Sequence, residues 1–476
     1  MSTRILRNAS SLLLVQILNP LLGMAFVVML ARLNGAASLG IYTFAIAMVA
    51  IFENAAGLGI REYLIRELGK NPAQWRALHN SAVALGVTAS FLAQIAMLLF
   101  ARSMGYDAET RHGLFIISFS LLPSVILYLA VSFLYAFDRM AVASATSLVE
   151  TLARTILGLT IIFLDLGMSW LLASFALSRI IAAMMAWSVQ AKHLGLPGRV
   201  WDRTAFRNLL KAAPTFAAMA ILATVYWRLN VIMLSRLCDA EAVGHYGAGY
   251  RLMDLISFVG GSILTATYPT MSRMFHHGRQ DFKLLLDKGL QYTIVGYLPV
   301  AVAVHELSPK IIALFFGEKF DAAAEALRLL TWVTFPLTLA KLFANSLVIA
   351  GRPNLDLRVN LYRLICNAVL SYVLIVKMGM IGACWAMLLS IIASVILQIY
   401  YLRDIVRPTL SFSQIVKPGI AVIAMLFGLK LTMAWPLLPQ ALLATGIYLA
   451  AFLALKPFDI EDRRMLQCLG QARQHA

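Results

Sequence analysis

Charge is scarce in this chain: 13% of its 476 residues are charged and 61% are hydrophobic, with a mean hydropathy of +0.79. A soluble domain of that length needs far more polar surface. The composition therefore describes an integral membrane protein with many spans. Acid is the scarcer sign, with 23 Asp and Glu against 40 Lys and Arg and a formal charge of +17. Cytoplasmic loops of membrane proteins collect Lys and Arg, and no basic run here has a soluble domain to carry it. The excess is thus read as topology, and no nucleic-acid partner is expected. Cysteine is almost absent. Cys238, Cys366, Cys384 and Cys468 form no CxxC and no metal-ligand spacing, so no metal site is expected. Cys238 and Cys468 fall on opposite sides of the membrane, while Cys366 and Cys384 lie within spans as small apolar filler. A Walker A pattern is missing, which excludes ATP hydrolysis by this chain. The histidines (His79, His112, His193, His245, His276, His277, His305 and His475) fall in loops or near span ends. No catalytic constellation stands out, so neither an enzyme nor an organic cofactor is expected.

Long apolar runs are what the chain has instead. A bilayer span takes about 20 mostly apolar residues, and fourteen candidates run at roughly 9–31, 39–60, 78–101, 113–136, 142–165, 168–190, 211–235, 243–269, 286–306, 327–350, 355–377, 380–402, 414–434 and 437–456. The first is too long for a signal-peptide core and reads as an uncleaved span. With the N-terminus inside, inner segments hold 25 Lys and Arg and outer loops hold 8. Both termini are therefore expected in the cytoplasm.

One stretch occurs twice. At an offset of 204 residues, Val27, Met29, Leu30, Arg32, Leu33, Ala36, Gly40 and Tyr42 recur as Val231, Met233, Leu234, Arg236, Leu237, Ala240, Gly244 and Tyr246. That is eight identities in nineteen positions, where chance gives about two. Gly167, Met168 and Ser178 recur as Gly379, Met380 and Ser390 at an offset of 212. An even number of spans separates the copies, so spans 1–6 and 7–12 read as parallel repeats. The expected organisation is an N-lobe at 1–195, a C-lobe at 196–408, a C-terminal helix pair at 409–458 and a cytoplasmic tail at 459–476. The fold class is an all-α polytopic membrane protein with about 14 transmembrane helices, two parallel six-helix lobes and a C-terminal pair.

Nine ionisable residues stand inside these spans: Glu53, Glu150, Arg154, Arg179, Arg228, Arg251, Asp254, Lys341 and Arg363. Each costs about 2.5–3.5 kcal/mol at the bilayer centre, so together they cost on the order of 20–30 kcal/mol unless paired or hydrated. They should face an internal cavity. Glu150 and Arg154 at i,i+4, and Arg251 and Asp254 at i,i+3, share helix faces and could neutralise each other. Arg228 could snorkel to the outer end, and Glu53 could pair with a basic neighbour. Arg179, Lys341 and Arg363 have no acid within one turn. Six positive and three negative charges leave a cation surplus that attracts an anion, with Arg offering a planar fork to phosphate oxygens. Arg154, Arg179, Arg228, Arg251, Lys341 and Arg363 are the expected substrate-binding residues, and Glu53 and Asp254 the expected ion-coupling carboxylates. Pro20, Pro123, Pro214, Pro299, Pro336 and Pro418 sit in or at the start of spans and permit bending. Gly260-Gly261 and Gly57-x-Gly59 mark close helix contact.

Several stretches together carry a family resemblance. They are Asn8-Ala-Ser-Ser-Leu-Leu, Ala31-Arg32-Leu-Asn-Gly with Leu39-Gly40-Ile-Tyr42, and Leu58-Gly59 leading to Leu64-Ile65-Arg66-Glu67-Leu68. To these are added Arg228-Leu-Asn-Val-Ile-Met-Leu, Glu241 to Arg251, Tyr268-Pro269 with Ser272-Arg273, Leu314 to Phe320, Ala350-Gly351-Arg352 and Gly379-Met-Ile-Gly382-Ala. In order and spacing, over about residues 5–405, the chain resembles the polysaccharide (O-antigen type) flippase family of the multidrug/oligosaccharidyl-lipid/polysaccharide exporter superfamily. The resemblance implies an alternating-access flippase with two six-helix lobes and a basic central cavity. Its cargo would be an undecaprenyl-diphosphate-linked saccharide, moved across the bacterial inner membrane for O-antigen, capsule or exopolysaccharide synthesis. Partners would be that lipid-linked saccharide, membrane lipid, and polysaccharide polymerase and glycosyltransferases; the energy would come from a coupling ion, proton or sodium. Many members carry Asp where this chain has Asn230, which puts ion coupling at that position in doubt. The alternatives are a same-fold exporter of a cell-wall lipid precursor, a teichoic-type polymer or a drug or cation by antiport, and a membrane glycosyl polymerase or ligase.

Overall fold

The computed structural model describes residues 2–198, 200–409 and 412–455. Arg199, Lys456, Cys468, His475 and the expected tail at 459–476 lie outside the described residues.

Apolar runs in a membrane must satisfy every backbone group internally, and the described residues accordingly form helices joined by short turns. In chain order these are α1 (Ser2–Gly57), α2 (Ile60–Lys70), α3 (Trp75–Ser103), α4 (Ala108–Ser118), α5 (Leu121–Ala136), α6 (Met140–Phe163) and α7 (Met168–Leu194). There follow α8 (Arg203–Leu237), α9 (Ala240–His277), α10 (Arg279–Phe316), α11 (Asp321–Ile349), α12 (Pro353–Leu402), α13 (Phe412–Leu431) and α14 (Leu437–Ala454). Among the described residues eleven helical stretches are long and apolar enough to cross a membrane. Two of them, α1 with its continuation and the 50-residue α12, are too long for one crossing. Each breaks at a glycine: Gly35 at φ 82° and Gly379 at φ 57°. An L side chain at either angle is strained, so glycine makes the fold-back. With those two breaks and α9, the architecture accommodates the fourteen expected crossings. The protein is an all-α, multi-pass membrane protein.

The expected span 113–136 is two helices. Pro123 sits in the first turn of α5, and α4 stops at Ser118. A proline ring collides with the carbonyl four residues earlier, here that of Phe119, and the helix parts there. Downstream of the left-handed Leu58 and Gly59, the loop expected after span 2 contains a short amphipathic helix, α2. It buries Ile60, Tyr63, Leu64 and Leu68 on one stripe.

The chain divides into two compact units, Met1–Gly247 and Ala248–Ala476, the boundary falling within α9. In the first unit the two copies of the repeated stretch meet. A methyl group on Gly40 would lie 1.7 Å from the Ala240 carbonyl oxygen, and one on Gly244 would lie 1.9 Å from the Ala36 carbonyl oxygen. These four residues are equivalent pairs under the repeat, so the contact is reciprocal. Backbone lies directly on backbone, as small residues allow in membranes. α5 and α7 use the same device, with Ala130, Ala182, Ala183 and Ala186 packed around Leu127. The second echo also holds: Gly167 and Gly379 both have positive φ. Ser178 and Ser390, both fully buried, bond back to the carbonyls of Phe175 and Met387.

The second unit is built around α10. Leu286, Phe343, Leu347 and Leu402 form its larger core, and α13 and α14 dock on α10 through Val422, Met425, Tyr448 and Phe452. Tyr448 donates to the Val295 carbonyl at 2.7 Å. Lys310 donates to the carbonyls of Met433 and Trp435 and to Gln440 Oε1 at 2.6–2.8 Å, tying the α13–α14 turn to α10. Cys384 is fully buried with its thiol 4.0 Å from the Ala326 carbonyl, an apolar filler.

Candidate functional site

The charges within the spans gather into two sets, one in each unit; all are partly exposed, and Asp254 and Lys341 are the most open. In the first unit Glu53 comes from the second half of α1, Glu150 and Arg154 from α6, Arg179 from α7 and Arg228 from α8. Arg179 joins three helices: its Nη2 lies 3.3 Å from Glu53 Oε2 and its Nη1 3.3 Å from Glu150 Oε2. All three side chains are largely withdrawn from solvent, and the guanidinium lies over Phe175 at 5.3 Å. Arg179 is therefore a paired residue, although its own helix offers no acid. Glu150 is engaged by Arg179, and the i,i+4 pairing with Arg154 is not what neutralises it. The Arg154 Nε is buried with no hydrogen-bond partner. Arg228 is half-buried, and no ion pair holds it among the described residues. Asn230 donates to the Tyr246 hydroxyl at 3.3 Å, a neutral bond between two buried residues.

In the second unit Arg251 and Asp254 lie on α9, Lys341 on α11 and Arg363 on α12. Asp254 and Arg363 both act electrostatically on Lys341, and Arg363 acts in the same way on Asp356. Asp356, in the first turn of α12, is a further member that span counting missed. Asn360 donates to its Oδ2 at 3.0 Å. Lys341 and Arg363 thus share this region with Asp254 and Asp356, and Arg251 stands three residues before Asp254 on α9. Counting Asp356, the surplus of cations within the spans falls from three to two.

Two cavities accompany these sets. One in the first unit, of about 210 Å³, is lined by Glu53, Asn54, Gly57, Val125, Tyr128 and Ala220. Beside it Arg61 lies over Tyr128 at 5.9 Å and over Tyr135 at 4.7 Å, within cation–π range. Arg61 reads as a loop cation in the sequence; only the packing of α2 on α5 brings it to these rings. The other cavity, in the second unit, is about 460 Å³ and apolar, with Ile256, Met271, Leu285, Tyr292, Tyr297 and Leu342 among its walls. Its space comes partly from Gly289 and Gly296 on α10. Among the described residues no group of three or more His, Cys, Asp or Glu could hold a metal ion. His79 lies near a span end as expected but is buried, against Phe133 at 4.9 Å and Trp187 at 5.1 Å.

The family model described as "polysaccharide biosynthesis protein" matches residues 5–275, more than half of the chain. The chain belongs to that family. A MatE model matches residues 214–373. The chain is 20% identical over 390 residues to a Shigella flexneri protein assigned as an O-antigen transporter, covering 79% of this chain and 92% of that one. It is 22% identical over 388 residues to an uncharacterized membrane protein of Methanocaldococcus jannaschii, covering 76% of each. Among solved structures it is similar to the lipid II flippase MurJ in an inward closed conformation, with a TM-score of 0.78 and 17% identity over 92% of this chain and 97% of that one. It is also similar to an inward-facing multidrug resistance MATE family transporter of the MOP superfamily, with a TM-score of 0.65 and 14% identity over 82% and 98%. The likeness to these solved structures shows a shared fold.

Proposed function

We propose that this transporter moves an undecaprenyl-diphosphate-linked oligosaccharide across the bacterial inner membrane by alternating access, supplying surface polysaccharide synthesis. The observation that supports the reading is the set in the second unit, where Lys341 and Arg363 act on each other and on Asp254 and Asp356, with Arg251 one turn from Asp254 on α9. A diphosphate is the ligand such a region attracts, because Arg forks match its oxygens and low dielectric magnifies the attraction. Arg154 and Arg228 are secondary contacts, and Arg179 acts chiefly as the tie between Glu53 and Glu150. Glu53 and Asp254 are the carboxylates available for ion coupling, by proton or sodium. Both termini face the cytoplasm in this reading, with polysaccharide polymerase and glycosyltransferases as the partners that supply and consume the cargo.

The expected result is that Arg251→Ala and Arg363→Ala each abolish surface polysaccharide while the protein stays in the membrane at normal abundance. Full export by both variants refutes the assignment. The likeness to the lipid II flippase favours one second reading, a cell-wall lipid precursor as cargo. Complementation of a strain depleted of its lipid II flippase, without restored surface polysaccharide in an O-antigen flippase mutant, would establish that reading instead.

A further inference from the structure

We infer that the first-unit cavity is a saccharide subsite that accepts a neutral sugar ring and rejects an acidic one. The inference rests on the reading above, that the cargo is a prenyl-diphosphate-linked saccharide. At about 210 Å³ the cavity holds about seven waters by volume, the scale of one hexose. Its walls have the two things a sugar needs, an aromatic face for its C–H surface and polar groups for its hydroxyls. Tyr128 supplies the ring, and Arg61 stacked on Tyr128 and Tyr135 holds that ring in place. The Tyr128 hydroxyl has no hydrogen-bond partner among the described residues and can both donate and accept. Asn54 commits its Nδ2 to the Ala50 carbonyl at 2.8 Å, which leaves its carbonyl oxygen to accept. Arg179 reaches Glu53 through Oε2, so the carboxylate keeps acceptor capacity for a sugar hydroxyl.

Charge sets the selectivity. The one cation seen to contact Glu53 is Arg179, and it is shared with Glu150, so two carboxylates divide one guanidinium. Glu53, a carboxylate, is the one acidic or basic residue among those that line the cavity. A uronic acid placed there would set like charge against like charge in a desolvated site, whereas a hexose or N-acetylhexosamine would not. The cavity thus reads a sugar of the cargo.

The test uses the full chain in lipid nanodiscs with three probes: geranyl diphosphate, geranyl-diphosphate-linked N-acetylglucosamine, and the glucuronic acid counterpart. The N-acetylglucosamine probe is expected to bind about tenfold tighter than geranyl diphosphate, and the glucuronate probe no tighter. Asn54→Ala and Tyr128→Leu should erase the tenfold gain and leave geranyl diphosphate affinity unchanged. Tyr128→Phe, which keeps the ring, should retain part of the gain. An undiminished gain in Asn54→Ala and Tyr128→Leu, or an equal gain for the glucuronate probe, overturns the inference. The broader reading fails differently, by geranyl diphosphate binding that is indifferent to Arg251→Ala and Arg363→Ala, and the sugar-dependent gain still decides the subsite in that event.

Discussion

Gly244→Ala is the most exacting test of how the repeated stretches pack. The added methyl would lie 1.9 Å from the Ala36 carbonyl oxygen and 2.8 Å from its carbon. Carbon–oxygen contacts need about 3.3 Å even at their closest favourable range. One backbone must therefore retreat by more than 1 Å, and no flexible side chain is there to yield instead. Overpacking of this kind costs about 1–3 kcal/mol. Gly40→Ala makes the matching collision with Ala240, so both substitutions push the same two helices apart. The second should cost less once the first has opened the contact, and the pair should be sub-additive. Gly446, inside α14 with nothing within 4 Å of an added methyl, is the control. There the same substitution should stabilise by about 0.4–1 kcal/mol, by restricting the unfolded chain. Thermal unfolding of the purified protein in one detergent measures all four variants. If Gly244→Ala raises the midpoint as Gly446→Ala does, the close backbone contact is not present and the reasoning fails.

Arg179→Leu leaves Glu53 and Glu150 without their shared partner and should cost about 3–5 kcal/mol, whereas the triple change with Glu53→Gln and Glu150→Gln should recover most of it; a thermal shift series on the parent, the single variant and the triple variant checks both. Lys310→Met removes three hydrogen bonds that hold the α13–α14 turn. It should cost on the order of 1–2 kcal/mol, because the ammonium is partly solvated, and limited proteolysis should then cut first at that turn. Asp107 caps α4 by accepting from the Thr110 N–H at 3.2 Å, and hydrogen bonding with the Thr110 side chain first, then with the backbone N–H groups of the first turn, holds its carboxyl below the usual value of 3.8. Its folded pKa being lowered, the stabilisation is complete above about pH 4 and is lost as pH falls through the folded value. Asp107→Ala should cost about 1 kcal/mol at neutral pH, and its unfolding midpoint should converge with that of the parent in acid.

The span pattern and the duplication were legible because each writes itself along the chain. Eight identities at one offset need no third dimension. Ion pairing was legible only within a turn of one helix. Glu150 and Arg154 invite a local pair, yet Arg179 reaches across from α7 to take Glu150 together with Glu53, which stands 126 residues away. Arg61 was hidden for a related reason, since its tyrosines belong to α5 and no spacing on α2 announces them. The break in the fourth span could be read in Pro123, but a proline inside an apolar run bends some membrane helices and divides others. Which of the two happens depends on whether neighbouring groups satisfy the freed carbonyls.

The reciprocal seating of Gly40 on Ala240 and Gly244 on Ala36 carries an evolutionary constraint. Two identical molecules meeting about a twofold axis obtain such matched contacts for nothing, since one change alters both ends at once. A fused chain has no such economy. Each of the four positions is now encoded separately, and a bulky replacement in either half injures a junction that the other half also depends on. The duplicated protein thus retains the geometry of a symmetric pair without its redundancy, and these small residues should be among the last to diverge between its halves.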